Sequence, residues 1–212
     1  MEEERTEVTV VKNEFEQAKI DIDGNKAIAA YRESNQILGM IMAGKKFPRD
    51  KFTAVNNILK ACERVSLANV AEYLYKRGNT EVTGATIRLA EVIAQNWGNL
   101  DYGVVEVDRN DEESICLAYC WDLETNVRST LNYTVPHYRS VKDKKTNQKK
   151  RYKLEDDRDI YEMVANMGAR RKRACILAIV PGDVTEKAIL QCRKTLTSQA
   201  GKTKEDQIIS LL

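Results

Sequence analysis

The change of hydrophobic period in the middle of the chain constrains the fold more than any other feature of the sequence. Apolar residues alternate with other residues over 114–121 and 127–135, and residues 102–107 form a third β-rich run. The connecting segments, residues 108–111 and 124–126, contain Asp, Asn and Thr, which are typical of turns. This pattern predicts three antiparallel strands joined as a β-meander.

Apolar residues recur at helical spacing on both sides of the predicted meander. Asp50 and Ser66 are suitable N-caps for two of these runs, and Gly78-Asn79 is suited to ending the second. We therefore predict an α+β fold with N-terminal helices, a three-stranded antiparallel β-meander, a long helix packed on the sheet and a C-terminal helix. The predicted helices cover residues 26–43, 50–64, 66–77, 84–97, 157–179 and 184–196.

Charge is distributed unevenly along the chain although the formal net charge is only +2. Residues 1–23 hold eight acidic and three basic residues, whereas residues 139–153 hold eight basic residues and one acidic residue. We predict an acidic flexible arm over residues 1–25, a single α+β nucleic-acid-binding and oligomerisation domain over 26–196, and a polar tail over 197–212. The basic stretch 139–153 is expected to form an exposed loop.

The histidine and cysteine content excludes several classes of function. With His137 as the single histidine, sites that need two histidines, including those of most zinc hydrolases, are excluded. Five cysteines, an odd number, indicate reduced thiols in a cytosolic protein. The sequence has no run of eighteen apolar residues, and the acidic N-terminus is unlike a signal peptide. We therefore predict a cytoplasmic protein.

Two patterns resemble metal sites. Cys116 and Cys120 share one face of a predicted strand, but without further ligands they are interpreted as buried hydrophobic residues. Asp122, Asp143 and Lys145 have the outline of a magnesium-dependent nuclease, in which two acids hold the metal and the lysine orients a water. This nuclease remains an alternative hypothesis, although Asp143 lies within the lysine-rich loop.

Basic side chains provide the strongest functional signal. Arg170 to Arg173 form an unbroken basic run on the predicted long helix, so their side chains cover all of its sides. They could pair with acidic groups of the same chain, or they could follow a phosphate backbone together with residues 139–153, where Tyr138 and Tyr152 flank the lysines. Basic groups interleaved with aromatic rings suit single-stranded nucleic acid. Arg128 and Arg88 are predicted to line the same groove.

Several segments resemble a group of phage and prophage proteins. They are Lys46–Arg49, Thr83–Glu91, Gln95–Asn99, Cys120–Thr125 and Asp157–Asn166. The order of elements over residues 40–196 also resembles that of phage single-strand annealing recombination proteins of the Red-beta/RecT type, which have a core of helices, β-meander and long helix.

The resemblance implies a function without bond chemistry. It implies ATP-independent annealing of complementary single DNA strands by an oligomeric ring or filament in the bacterial host cell, with no metal or other cofactor and no enzymatic activity. Further partners would be a phage exonuclease or a single-strand binding protein. A third hypothesis is a non-catalytic phage assembly or interaction protein. The DNA groove would lie between the meander and the long helix, with Arg128, Arg139, Lys144, Lys145, Arg170, Arg171 and Arg173 as candidates.

Overall fold

The structure, a computed structural model, describes residues 24–142 and 149–199. The chain divides into two compact units, Met1–Phe47 and Pro48–Leu212. The described part of the first unit contains helix α1 (Gly24–Lys46). Three apolar residues of the stripe predicted there, Ile28, Tyr31 and Leu38, are 57–61% exposed.

The second unit alternates helices with antiparallel strands. Three helical elements and two hairpin strands precede the meander, and a second hairpin and two long helices follow it. The elements are α2 (Lys51–Cys62), α3 (Val65–Ala68), β1 (Glu72–Arg77), β2 (Thr80–Ala85), α4 (Ile87–Trp97), β3 (Leu100–Arg109), β4 (Glu113–Asp122), β5 (Arg128–Pro136), β6 (Tyr138–Lys142), β7 (Lys149–Lys153), α5 (Asp157–Ile179) and α6 (Gly182–Gln199).

The α+β fold and the predicted meander are confirmed. Strands β3, β4 and β5 form one antiparallel sheet in that order, with β4 in the centre. The register of β3 against β4 shifts between Glu106 and Asp108, so Val107 forms a bulge. The Asp50 side chain accepts a hydrogen bond from the N–H of Phe52 and caps α2 as predicted. Two starts, Asp157 and Asp159, are compatible with the sequence of the long helix, and the structure has the first of them, with Asp156 as the N-cap.

The helix predicted over residues 66–77 is wrong. Only Val65–Ala68 is helical, and residues 72–77 form strand β1, which pairs with β2 through the two-residue turn Gly78-Asn79. Gly78 has a φ of +62°, which glycine adopts at no steric cost and which suits the first central position of a tight hairpin turn. The residues interpreted as a helix end are therefore a hairpin turn, and the next helix begins later than predicted, at Ile87.

The exposed loop predicted over residues 139–153 is also corrected. Its two ends pair as the antiparallel hairpin β6–β7, from Tyr138 opposite Lys153 to Lys142 opposite Lys149. All residues of β7 are exposed, as expected for a segment with four basic side chains in five positions. Residues 143–148 lie outside the described part of the chain.

The core lies between one face of the meander and the helices. Ala118 and Cys120 of β4 pack in one buried cluster with Leu89 and Ile93 of α4 and Ile176 of α5. Helix α6 joins this cluster from the other side, where the Thr195 hydroxyl donates to the carbonyl of Cys62 at 3.0 Å. Packing in this cluster fixes which face of α5 contacts the sheet. It therefore also determines the directions of the basic side chains of α5.

Helix α5 approaches the meander closely at Gly168. A Cβ atom built on Gly168 would lie 2.9 Å from the Tyr133 hydroxyl and 3.2 Å from both methyl groups of Val104. Gly168 therefore lets the helix approach the sheet of the same chain.

This contact predicts the effect of a small substitution. We expect Gly168→Ala to lower the free energy of unfolding by about 1–3 kcal/mol, because crowding at a packed contact outweighs the higher helix propensity of alanine. Gly182→Ala is the control, since a Cβ there has no neighbour within 4 Å. Urea denaturation of both variants checks the prediction, and equal stability of the two would contradict it.

The described residues cover the predicted boundaries of the arm and the tail only in part. The predicted arm lies outside the described residues up to residue 23, and α1 begins at Gly24. Helix α6 continues to Gln199, three residues into the predicted tail, and residues 200–212 lie outside the described part. In the described ranges, no helix has the length and apolar character needed to cross a membrane.

Candidate nucleic-acid interface

A cleft of about 720 Å³ lies between the β1–β2 hairpin and helix α5. Ile87, the first residue of helix α4, and its N-cap Thr86 also line it. The hairpin contributes aromatic and apolar side chains, and α5 contributes polar and basic side chains beside Ala169. The lining residues are Tyr73, Leu74, Tyr75, Thr86, Ile87, Asn166, Ala169, Arg170 and Arg173.

Two tyrosines form the hairpin side of the cleft. Tyr73 and Tyr75 lie two residues apart on β1, so their side chains share one face of the hairpin. Their ring centroids are 5.8 Å apart with an interplanar angle of 25°, which is a stacked arrangement. The Tyr75 side chain is 51% exposed, so part of this aromatic surface is accessible.

A glycine on the neighbouring strand lets the Tyr73 ring lie flat. Gly84 pairs directly with Tyr73, and a Cβ at Gly84 would come within 2.6 Å of the Tyr73 hydroxyl. Any larger residue at position 84 would displace the ring. Because Gly84 has no side chain, the Tyr73 ring can lie across β2.

Two arginines form the helix side of the cleft. Arg170 and Arg173 are three residues apart on α5 and so lie on one side of the helix. The Arg173 guanidinium lies 4.8 Å from the Tyr73 ring centroid, within the range of a cation–π contact. Arg170 is exposed one turn earlier. Cationic groups and stacked rings thus face the same open space.

The other two residues of the basic run are held by the protein itself. The Arg171 guanidinium lies 5.1 Å from the Tyr133 ring centroid, on the β5 side of the helix. Lys172 Nζ lies 2.7 Å from Glu91 Oε1 of α4. The run therefore divides as its helical spacing requires, and of the predicted residues Arg170, Arg171 and Arg173 only Arg170 and Arg173 line this cleft.

Among the residues that the structure describes, the cleft lining includes none of the other predicted DNA-binding residues. Arg88 is exposed beside the cleft residue Ile87. Arg128 lies on the face of the sheet opposite the helices, 5.5 Å and 5.4 Å from the ring centroids of Tyr119 and Trp121. Arg139 is exposed on β6, and Lys144 and Lys145 lie outside the described residues.

A second, smaller cleft of about 400 Å³ lies between β3 of the meander and α5, where the groove was predicted. Its lining includes Glu106 and Arg109 of β3 and Lys172 of α5, but none of the predicted DNA-binding residues that the structure describes. At the other end of the contact α5 packs directly on the sheet, where the Cys175 thiol lies 3.5 Å from the carbonyl oxygen of Ala118. The larger cleft, between α5 and the β1–β2 hairpin, is lined by no residue of the meander. Arg170 lies thirteen residues beyond Asp157, or about 20 Å along the helix from its first residue.

Asp122, the first carboxylate of the nuclease hypothesis, belongs to a buried ion cluster. Its two oxygens accept hydrogen bonds from the Arg49 guanidinium at 2.7 and 2.8 Å. Burial raises the pKa of the Asp122 carboxyl, but the hydrogen bonds from Arg49 and from the N–H of Glu124 outweigh that effect, so the pKa lies below its ordinary value. Asp143 and Lys145 lie outside the described residues, and the described residues include no cluster of three or more His, Cys, Asp or Glu that could hold a metal ion.

The interpretation of Cys116 and Cys120 as core residues is confirmed. Both are fully buried free thiols. Burial raises the pKa of the Cys120 thiol to about 12 and also raises that of Cys116, so both remain protonated near neutral pH. A protonated thiol is a poor nucleophile and a poor metal ligand.

The tyrosine pair was missed because residues 66–77 were interpreted as a helix. A two-residue Gly-Asn segment between runs that contain Tyr, Val and Thr is a hairpin signal. Read with a period of two, residues 72–77 place Tyr73 and Tyr75 on one face. The signal was therefore present in the sequence.

Comparison of the chain with protein-family models, with curated proteins and with solved structures found no match. The resemblance to annealing proteins of the Red-beta/RecT type therefore remains a prediction. The cleft between the β1–β2 hairpin and α5 is therefore the feature from which function can be inferred.

Proposed function

We propose that this chain binds single-stranded DNA in the cleft between the β1–β2 hairpin and α5 and anneals complementary strands without ATP. The observation that carries the proposal is the stacked pair Tyr73 and Tyr75 facing Arg170 and Arg173. Stacked rings offer a surface to any base, and arginines bind the phosphates between bases. Such a site holds the strand mainly by its backbone and by one face of its bases.

Self-association in a ring or filament, in the cytoplasm of the bacterial host, is part of the proposal. Helix α1 supports it, because Ile28, Tyr31, Leu38 and Met42 are 57–70% exposed and recur at spacings of three, seven and four residues. An exposed apolar stripe on a helix is typical of a surface that packs on another protein. A phage exonuclease or single-strand binding protein remains a proposed further partner.

The exposed hairpin β6–β7 supplies a second basic surface. Arg151 lies 4.3 Å from the Tyr138 ring centroid, and Arg139 pairs with Tyr152 across the strands. This surface combines cations and aromatic rings, as the cleft does. We propose that it contacts the phosphates of DNA outside the cleft.

The test is the pairing rate of two complementary dye-labelled oligonucleotides, measured without ATP and with EDTA. We expect the protein to accelerate formation of the full-length duplex. Cleavage that EDTA abolishes would instead favour the nuclease hypothesis. Absence of both acceleration and binding at low salt would favour an assembly or interaction protein.

Removal of one exposed ring tests the stacking role. We expect Tyr75→Ala to weaken binding of a short single-stranded oligonucleotide by about 5- to 150-fold, because stacking of one base on an aromatic side chain contributes about 1–3 kcal/mol. Tyr161→Ala removes a ring that is 71% exposed elsewhere on α5 and should leave affinity unchanged. Fluorescence anisotropy measures both variants, and equal affinities would contradict the assignment.

A further inference from the structure

The central strand of the meander is apolar on both of its faces. Cys116, Ala118 and Cys120 point toward the helices and are fully buried. The alternate residues point to the opposite face, here called the outer face. From β4 the outer face carries Ile115, Leu117, Tyr119 and Trp121.

A solvent face of an antiparallel sheet is ordinarily polar. Here Val105 and Ile115 are 47% and 39% exposed on the outer face, beside Leu117. The helices that pack on the sheet, α4 and α5, contact its other face. A strand that is apolar on both sides is typical of a sheet that is covered on both sides.

The register places opposite charges at the two edges of this face. Asp101 on β3 pairs with Trp121 on β4, and Trp121 pairs with Arg128 on β5. These three residues form one row across the sheet, with an acid at one edge, a ring in the centre and a base at the other edge. Three rows further along the strands, Ile115 lies at the centre, with Asp108 beside it on β3 and Thr134 beside it on β5.

We propose that the outer face binds a second copy of this chain, sheet against sheet, about a two-fold axis parallel to β4. Such an axis keeps every row at its own level and exchanges the edges, so that β3 of one copy lies opposite β5 of the other. Arg128 then lies opposite the partner's Asp101, and the pair occurs twice. The apolar residues of β4 meet their own counterparts along the axis.

Charge selects this axis over the alternative. A two-fold axis perpendicular to the strands places β3 opposite β3 and reverses the order of the rows. Asp101 then comes level with the partner's Asp108, and like charges facing each other oppose association. Over the rows from Trp121 to Ile115 the parallel axis brings no like charges together, and Glu113 meets its counterpart only one row beyond, at the end of β4. Aligned sheets pack in this way with a small twist.

The charged groups lie near the surface where a partner would meet them. Arg128 lies over the Tyr119 and Trp121 rings, and the Tyr119 hydroxyl lies 3.4 Å from an Asp101 carboxylate oxygen. The Tyr119 ring lies flat over Gly103, where a Cβ would meet it at 3.1 Å. The absence of a side chain at Gly103 therefore lets the Tyr119 ring cover β3 on this face.

The interface is independent of the proposed DNA cleft. Helix α5 lies on the opposite face of the sheet, so the clefts of the two copies face away from each other. A dimer of this kind would hold two DNA strands, one on each copy. Loss of the dimer should therefore leave the affinity of a single cleft unchanged.

Charge reversal tests the interface and its axis together. Asp101→Arg and Arg128→Asp should each raise the dimer dissociation constant at least tenfold in sedimentation velocity, because each places two like pairs face to face. The double variant Asp101→Arg/Arg128→Asp, and an equimolar mixture of the two single variants, should both restore the dimer. Lys194→Glu, at an exposed position of α6, is the control and should not change association.

A cross-link at the axis gives a readout that does not depend on other assembly surfaces. A short bis-maleimide should join two copies of the Ile115→Cys variant, because residue 115 of one copy meets residue 115 of the other. The control is the Leu190→Cys variant. Leu190 is 61% exposed on α6, away from the outer face, so this variant should not be cross-linked. The five native thiols are buried.

Two results would overturn the inference. One is that the Ile115→Cys variant does not cross-link, and the other is that the double variant does not associate. Loss of oligonucleotide binding by Arg128→Asp without any change in association would instead assign the outer face to nucleic acid. Failure of the annealing assay would not affect this test, since it measures only association.

Discussion

Replacing Arg49 with methionine is expected to destabilise residues 48–199 by about 3–5 kcal/mol, because it leaves the buried Asp122 carboxylate and the partly buried Glu124 carboxylate without their counter-ion. The Arg49 side chain is 6% exposed, and its guanidinium binds both Asp122 oxygens and Glu124 Oε1 at 2.7–2.8 Å. It also lies 5.1 Å from the Trp97 ring centroid. This cluster attaches the start of α2 to the end of β4.

Urea denaturation checks the effect. Arg88→Met is the matched control, because Arg88 is exposed and its replacement should change the unfolding free energy by less than about 0.5 kcal/mol. A difference below about 1 kcal/mol between the two variants would show that the cluster contributes little to stability.

The same cluster predicts a pH dependence. The pKa of Asp122 is lowered in the folded chain, so the folded state binds this proton less readily than the unfolded chain does. Its contribution is present above the unfolded pKa, near 4, and is lost as the pH falls through the folded pKa. The acid part of the stability profile should therefore be shallower in Asp122→Asn, which unfolding curves at several pH values would measure.

The second large effect concerns the salt dependence of DNA binding. The double variant Arg170→Gln/Arg173→Gln should weaken binding by about tenfold or more per arginine, since a hydrogen bond to a charged group contributes about 1.5–3 kcal/mol. The slope of log K against log salt should fall by about 1.4, because each lost phosphate contact on a single strand contributes about 0.7.

Arg171→Gln provides the matched control on the same helix. Arg171 belongs to the same basic run, but it packs over Tyr133 on the other side of α5. Its replacement should leave the salt slope unchanged. An equal reduction of the slope by Arg171→Gln would mean that total charge, rather than the cleft, binds the DNA.

Much of the fold could be predicted because local patterns and tertiary packing agree there. The meander has alternating residues and turn chemistry, and the long helix has an acidic start at Asp157 and a Pro-Gly stop after Ile179. Each of these signals acts within a few residues. These local signals therefore specify a helix or a strand independently of its tertiary surroundings.

For residues 66–77 the local pattern of apolar residues does not decide between a helix and a strand. Leu67, Val70, Ala71 and Leu74 satisfy helical spacing, while Tyr73 and Tyr75 satisfy strand alternation. Long-range contacts favour the strand, because Glu72 forms an ion pair with Arg193 of α6, and the N–H of Thr86 donates to the carbonyl of Ala71. Neither contact can be read from a short segment of sequence.

The sequence by itself determined that four adjacent cationic residues would point to all sides of one helix. Only the tertiary structure decided which of them face open space. Close packing at Gly168, Cys175 and Ile176 fixes the rotation of α5 on the sheet. That rotation turns Arg170 and Arg173 toward the tyrosines of β1 and turns Arg171 toward β5. The physical reason is that helical spacing fixes angles between side chains, whereas burial of the apolar face sets their absolute direction.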